Sequence, residues 1–186
     1  MNKIPLITAR MNLATLLRSG DAGQIQQAVE LLRSMPVQTR REVMDRFVLK
    51  GARLTAADLR GLILDGVVLW RASMPDAQME GIRLRGADMR GTDLENADLR
   101  GADLTDADLR GSMLRGVRLD AAILTRADLR GAMLTRASLR GADLSEADLG
   151  GTDMREASLD HAVLRGAIWN EDTRWPEGMS PPDVPR

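Results

Sequence analysis

The chain has no cysteine and no tyrosine, one histidine, one phenylalanine and three tryptophans in 186 residues. With no Cys and only His161, a disulfide framework, a thiolate zinc site, an iron–sulfur cluster and any Cys–His or multi-His centre are excluded within one chain. A metal site would rest on carboxylates. Aromatics are 2% of the residues and apolar residues 44%, so the core must be closed by Leu, Met, Ala, Val and Ile rather than by the side chains that bury most area. Charge of one sign is also missing: 26 Lys+Arg against 27 Asp+Glu leave a net charge of −1, and no bulk attraction to nucleic acid or membrane is expected. There is no run of about 18 apolar residues. Arg10 also falls where a secretion signal needs its apolar stretch, so the expected compartment is the cytoplasm.

What is present is a period of five. From Leu49 to Leu164 every fifth residue is Leu or Met, at all 24 positions. Two residues before each stands a small or aliphatic residue, mostly Ala (Ala52, Ala57, Leu62, Val67, Ala72), and between the two is most often Asp, as in Ala97-Asp98-Leu99-Arg100-Gly101. In an α-helix five residues turn through about 500°, so successive Leu would wind around the cylinder without forming a stripe. In an uninterrupted strand an odd spacing sends alternate Leu to opposite faces. The remaining solution is a chain that turns once per repeat in the same sense, with each Leu and the Ala before it facing one axis.

The corners support this. In Leu-Arg-Gly-Ala the Gly takes the third turn position, where a type II turn requires positive φ. Gly stands there in 13 of 24 repeats, and the other corners are expected to use a different turn type. Gly and non-Gly corners tend to alternate, which suggests an even number of sides.

Tandem A-D-L-x-x over residues 49–166 resembles the pentapeptide-repeat family. The resemblance implies an all-β solenoid, a right-handed quadrilateral β-helix with four pentapeptides per coil. Here that makes about six coils, and a prism of roughly 29 Å at the usual strand spacing. The expected organisation is an N-terminal helical cap (1–48), the pentapeptide-repeat β-helix (49–166), and a C-terminal cap with a frayed tail (167–186).

Twenty residues per coil would stack positions 20 apart. One side then carries Arg90, Arg110 and Arg130 beside Asp88, Asp108, Asp128 and Asp148. The opposite side alternates Arg60, Glu80, Arg100, Asp120, Arg140 and Asp160. The Asp ladder is read as bonding to nearby backbone at the corner with Arg neutralising it; a cation- or partner-binding surface is the alternative. Interleaved Asp makes the Arg ridge a poor footprint for nucleic acid. Three outward sites break the polar rule: Met113 and Met133 on one side, Ile63 and Ile123 on the next, and Trp70, which follows its Leu where Arg or Thr is usual. They mark either an interface or ground covered by the N-terminal segment. The candidate interaction surface is Arg90, Arg110, Arg130, Met113, Met133 and Trp70; His161 is a solvated corner.

The open ends of a β-helix need covering. Asp21 with Gln24 and Thr39 with Glu42 have capping-box spacing, each before an apolar pattern (Ile25, Val29, Leu32; Val43, Met44, Phe47), and helices are expected at 8–19, 22–34 and 39–48. Residues 1–50 carry a net +4 and the repeats −3. At the far end Trp169 takes the next central position and the period is then abandoned; Trp169 and Trp175 are expected to plug the last coil. In some family members that end forms a dimer, so both a monomer and a C-terminal-end homodimer stay open.

With the axis filled by Leu and Ala there is no concave site, and neither a catalytic set nor a cofactor cradle is expected. The leading function is a rigid, non-catalytic scaffold for a protein partner. The resemblance also implies a second: fluoroquinolone-resistance members are similar in shape and charge to duplex DNA and bind DNA gyrase. This chain departs from those in its Arg ridges, its weakly charged repeats and its uninterrupted register. Direct nucleic-acid binding through the basic N-terminal segment is not expected.

Overall fold

In the computed structural model, which describes residues 3–44 and 47–179, three helices precede the repeats: α1 Lys3–Arg18, α2 Ala22–Ser34 and α3 Val37–Met44. α2 has the expected limits because its start is chemically marked. Asp21 Oδ1 accepts the Gln24 N–H at 2.8 Å, satisfying one of the orphan donors of the first turn. The reciprocal half of the capping box is taken by another group, since the Asp21 N–H donates to Ser19 Oγ at 3.1 Å. α1 begins earlier than residue 8; Pro5 lies in its first turn, where a missing N–H forfeits no intrahelical bond. Thr39 with Glu42 is not a helix start, because α3 begins at Val37 directly after Pro36. α3 also stops short of 48: Phe47, 2% exposed, is an inward residue of the first coil, while residues 45 and 46 lie outside the described ones.

The helices close the start of the coil. Ile25, Ala28, Val29 and Leu32 of α2 are buried together with Leu13 and Leu17 of α1 and Val43 of α3. Leu17 and Leu32 meet the axial residues Leu49, Leu54 and Leu59 around an apolar gap of about 10 Å³, too small for a ligand. Arg18, the last residue of α1, donates to the Val48 carbonyl. Arg33 of α2 reaches Asp58 at 3.3 Å and the Arg60 carbonyl at 3.2 Å.

From Val48 onward each outward residue bridges in parallel to the residue 20 positions on, Val48 to Val68 through Asp148 to Ile168. One coil is therefore four repeats. The first side carries the central residues Leu49, Leu69, Met89, Leu109, Leu129 and Leu149; the second starts at Leu54, the third at Leu59 and the fourth at Leu64. Through most of the solenoid these side chains and the Ala, Val, Ile or Thr two before them are almost fully shielded. The few aromatic rings are kept off the middle of the axis: Phe47 sits in the first coil, Trp169 and Trp175 at the end, and Trp70 outside.

Ala97–Gly101 shows how the repeat spends its five backbone N–H groups. Asp98 donates to the preceding coil (Ala77 O, 2.9 Å), Leu99 and Gly101 to the following one (Arg118 O, 2.7 Å; Asp120 O, 2.9 Å), and Ala97 closes the corner onto Leu94 O at 3.0 Å. The fifth, on Arg100, has no carbonyl to meet. It donates to the Asp98 carboxylate at 3.2 Å. Every outward Asp repeats this bond to the N–H two residues on, from Asp58 and Asp88 to Asp143, Asp148 and Asp153. The Asp of the repeat is thus a backbone acceptor first, as its place beside the corner suggested.

The non-Gly corners do not use a different turn. Ala56, Arg71, Asp76, Asn96, Asp106, Ala121, Arg126, Arg136, Glu146, Glu156 and His161 all have φ between 53° and 61°, alongside Gly corners at 59° to 71°. The coil imposes one conformation, and each L residue there accepts strain of about 1 kcal/mol. Several of these side chains earn their place by pairing between coils: Arg126 with Asp106 at 2.7 Å and Arg136 with Glu156 at 2.8 Å.

Beyond Trp169 the period lapses and then resumes. Asn170, Glu171 and Asp172 make a corner one residue longer than the others, after which Arg174 bridges to Asp153. Thr173 points inward and Trp175 falls above Met154, forming one more side. The Thr173 hydroxyl donates to Leu149 O at 2.8 Å and accepts the Gly151 N–H at 3.1 Å. Trp169 and Trp175 then pack edge-to-face, centroids 5.9 Å apart. The tail beyond Met179 lies outside the described residues.

The corners can be tested one at a time. A Cβ at Gly111 meets nothing within 4 Å, whereas one at Gly116 falls 2.5 Å from Asn96 Oδ1. Gly111→Ala should cost about 1 kcal/mol by φ strain alone. Gly116→Ala should cost more, and Asn96→Ala should return it to the Gly111→Ala value; urea unfolding midpoints measure all three.

Candidate interaction surface

The six candidate residues gather on both sides of one edge of the prism. Trp70, Arg90, Arg110 and Arg130 form a single column at the end of the first side. Met113 and Met133, bridged to each other, lie on the second side just past the glycine corners Gly111 and Gly131. Both Met side chains are exposed, at 39% and 46%. Ile123 is exposed too, but it lies on the fourth side, opposite the Met pair rather than next to it, because ten residues make half a coil. Ile63, on that same side, is half-buried.

The Arg column is tied down. Arg90 grips its own Asp88 with two bonds (2.8 and 2.6 Å), Arg110 grips Asp108 (2.8 and 2.7 Å) and Arg130 grips Asp128 (2.9 and 2.6 Å). Each Nε also lies 3.4–3.6 Å from the carboxylate one coil further on, reaching Asp108, Asp128 and Asp148 in turn. Stacked Asp residues would repel one another; the guanidinium between them reverses that. The Arg90 and Arg130 hydrogen bonds hold the Asp88 and Asp128 carboxyls below the usual carboxylate range against a partial burial that opposes it, and all three Arg are pushed upward by their Asp partners. With both prongs already engaged, this ridge has little left for phosphate.

The alternating ladder of the third side pairs only partly as its order suggests. Glu80 meets Arg100 at 3.2 Å and Asp160 meets Arg140 at 3.4 Å, yet Arg60 and Arg100 bind the Asp of their own repeat more closely, Asp58 at 2.8 Å and Asp98 at 2.7 Å.

Trp70 is different. It is half-buried and surrounded by cations: Lys50 Nζ lies 3.9 Å from the ring centroid, Arg71 Cζ 5.2 Å and Arg90 Cζ 6.0 Å. Among the described residues the cations at the ring all come from the coils themselves. Stepping by 20 through the sequence from Arg90 reaches Trp70 and then Lys50, so this cluster was within reach of the ladder reading. Among the described residues no group of three or more His, Asp or Glu is placed to hold a metal ion, and no helix is long and apolar enough to cross a membrane.

The Asp residues give two measurable outcomes. Asp128→Ala strands the Arg130 N–H and should cost about 1 kcal/mol, whereas Asp128→Asn keeps an acceptor and should cost less, as read by urea midpoints. Asp88, Asp98, Asp128 and Asp153 all titrate lower folded than free. The unfolded chain therefore takes up protons first on acidification. Stability from these groups should be fully present above pH ~4 and decline as pH falls through the depressed values, with thermal melting flat from neutrality to about pH 5.

The pentapeptide-repeat family model matches the chain in eight copies, within 52–91, 77–116, 102–141, 114–151 and 137–168. No curated protein matches it. Among solved structures, the pentapeptide-repeat protein Rfr23 from the cyanobacterium Cyanothece 51142 is 26% identical, with 63% of this chain and 90% of that one covered and a TM-score of 0.54. HetL, a pentapeptide-repeat protein involved in heterocyst differentiation regulation in Nostoc sp. strain PCC 7120, is 29% identical over 66% of this chain and 72% of that one, at a TM-score of 0.28. Full-length QnrB1, a plasmid-mediated fluoroquinolone resistance protein, is 16% identical over 65% and 81%, at 0.27. Pentapeptide-repeat proteins of known structure fold as right-handed quadrilateral β-helices. A five-residue period that never slips, four repeats to the coil and a family match running from residue 52 to 168 make this chain a member of the pentapeptide-repeat family.

Proposed function

We propose that the protein is a non-catalytic scaffold that binds a protein partner along the edge between its first and second sides. One observation carries the reading: the axis is filled by buried Leu, Met and Ala, so whatever the molecule recognises must meet a flat, laddered exterior. On that exterior the Met113–Met133 pair offers exposed apolar surface, bordered by Arg110 and Arg130 held in fixed geometry by Asp108 and Asp128. Apolar centres with rigid polar rims suit protein partners. In this reading the helices before Phe47 are a cap, residues 47–166 the right-handed recognition prism, and 167–186 a C-terminal cap and frayed tail. The setting is cytoplasmic and the molecule is a monomer or a dimer through its C-terminal end.

The alternative, a DNA-shaped binder of gyrase, needs a predominantly negative surface. Here each Asp of the first side except Asp148 grips an Arg of its own repeat, which favours the scaffold.

Crosslinking and affinity capture from the source cells should retain a partner with the intact protein and lose it with Met113→Glu/Met133→Glu. Capture of nothing by the intact protein, or the same protein by both, would overturn the reading. Gyrase supercoiling is expected to be unchanged by added protein; inhibition would favour the alternative.

A further inference from the structure

The first side changes character at its beginning. From the third coil on, its unit is Asp-x-Arg: Asp88 with Arg90, Asp108 with Arg110, Asp128 with Arg130. In the two coils before that, Val48 and Val68 take the place of Asp, with Lys50 and Trp70 in the place of Arg. The carboxylates disappear while the cations do not. Among the described residues Lys50, Arg71 and, around the corner, Arg53 form no ion pair, and all three are exposed. Val48, on the same side as Lys50 and bridged to Val68, is 47% exposed.

Trp70 organises two of these charges, Lys50 and Arg71, together with Arg90. Cations from the coils before and after it, and from its own corner, stand against the ring, an arrangement that attracts through the ring quadrupole. It fixes their positions without neutralising them. Arg71 stands at the corner between the first and second sides, its backbone at φ 54°.

We propose that this start of the first side is the docking point for an acidic protein segment carrying an apolar side chain. The inference rests on the scaffold reading and adds the partner's chemistry. Two cations held at the Trp70 ring and without an ion pair among the described residues, Lys50 and Arg71, with Arg53 exposed around the corner, ask for carboxylates, and Val48, Val68 and the Trp70 edge ask for an apolar residue beside them. Trp and Arg are, with Tyr, enriched among the residues that carry interface binding energy. Nucleic acid fits less well: Trp70 has cations at its ring where a base would have to stack, and the two valines offer a phosphate backbone nothing. Further along the same side the Arg forks are occupied by Asp88, Asp108 and Asp128, so an acidic segment gains there only by displacing them. That confines the site to the first two coils.

The test is fluorescence anisotropy of a labelled oligoglutamate peptide carrying one leucine, titrated with the full chain. Saturable binding is expected at low ionic strength, where screening is weak. Lys50→Gln/Arg71→Gln should weaken it about tenfold, Trp70→Ala several-fold, and removal of the peptide's leucine several-fold. Arg140→Gln on the third side should leave it unchanged, and unfolding midpoints establish that the variants fold. The proposal is overturned if the peptide does not bind, if Lys50→Gln/Arg71→Gln binds it equally, or if a thymidine oligonucleotide of equal charge binds as tightly at the same residues. A cellular partner whose capture survives Lys50→Gln/Arg71→Gln would remove this site and leave the scaffold standing.

Discussion

The constraint on which the structure depends is the disposal of one backbone N–H per repeat. Four of the five find carbonyls, three on neighbouring coils and one across the corner. The fifth points outward beside the corner, and an Asp two residues earlier accepts it wherever the repeat carries one. That places a carboxylate at a fixed point of the surface, coil after coil, for reasons internal to the chain. Vertical stacks of negative charge follow unless something intervenes. The Arg two residues after the Asp intervenes, gripping one carboxylate and leaning toward the next. The surface pattern is therefore a by-product of folding before it is a recognition code.

This ordering clarifies where recognition can reside. A paired Asp–Arg ladder has satisfied its own chemistry, so the informative positions are those where the pattern stops. On the first side it stops at Val48 and Val68, on the second at Met113 and Met133, and at the far end at Gly150, where Asp148 bonds only backbone from its own repeat. Those of the first and second sides adjoin one edge, the exposed Ile123 and Val163 stand apart on the fourth, and the third side holds to charged and polar groups.

Much of this could be read from the chain. The five-residue step, the inward Leu and Ala, the four-sided coil and the vertical ladders all follow from spacing, because a solenoid with constant period translates sequence distance directly into place. The Asp21 cap was legible for the same local reason. Other features were hidden where local preference yields to the coil. Arg126 and Glu146 at corners look like signals for another turn, yet the neighbouring coils hold them at φ 58° and 60°. Phe47 continues the apolar spacing of α3 and also satisfies the inward position of a repeat, and only packing chooses between them. The side formed by Thr173–Trp175 escaped the period because one extra corner residue puts it out of step.

Sides and coils have different tolerance for change in length. Adding or deleting one pentapeptide preserves the local repeat but turns everything after it by one side, setting the Arg column of the first side over the Met pair of the second and breaking each vertical partnership at the junction. Adding or deleting four returns every residue to its own column. Growth of such a molecule by duplication is thus quantised in units of twenty residues. The single extra residue at Asn170–Asp172 is the exception that keeps the column: it lengthens the vertical step to 21, and Arg174 still falls beside Asp153.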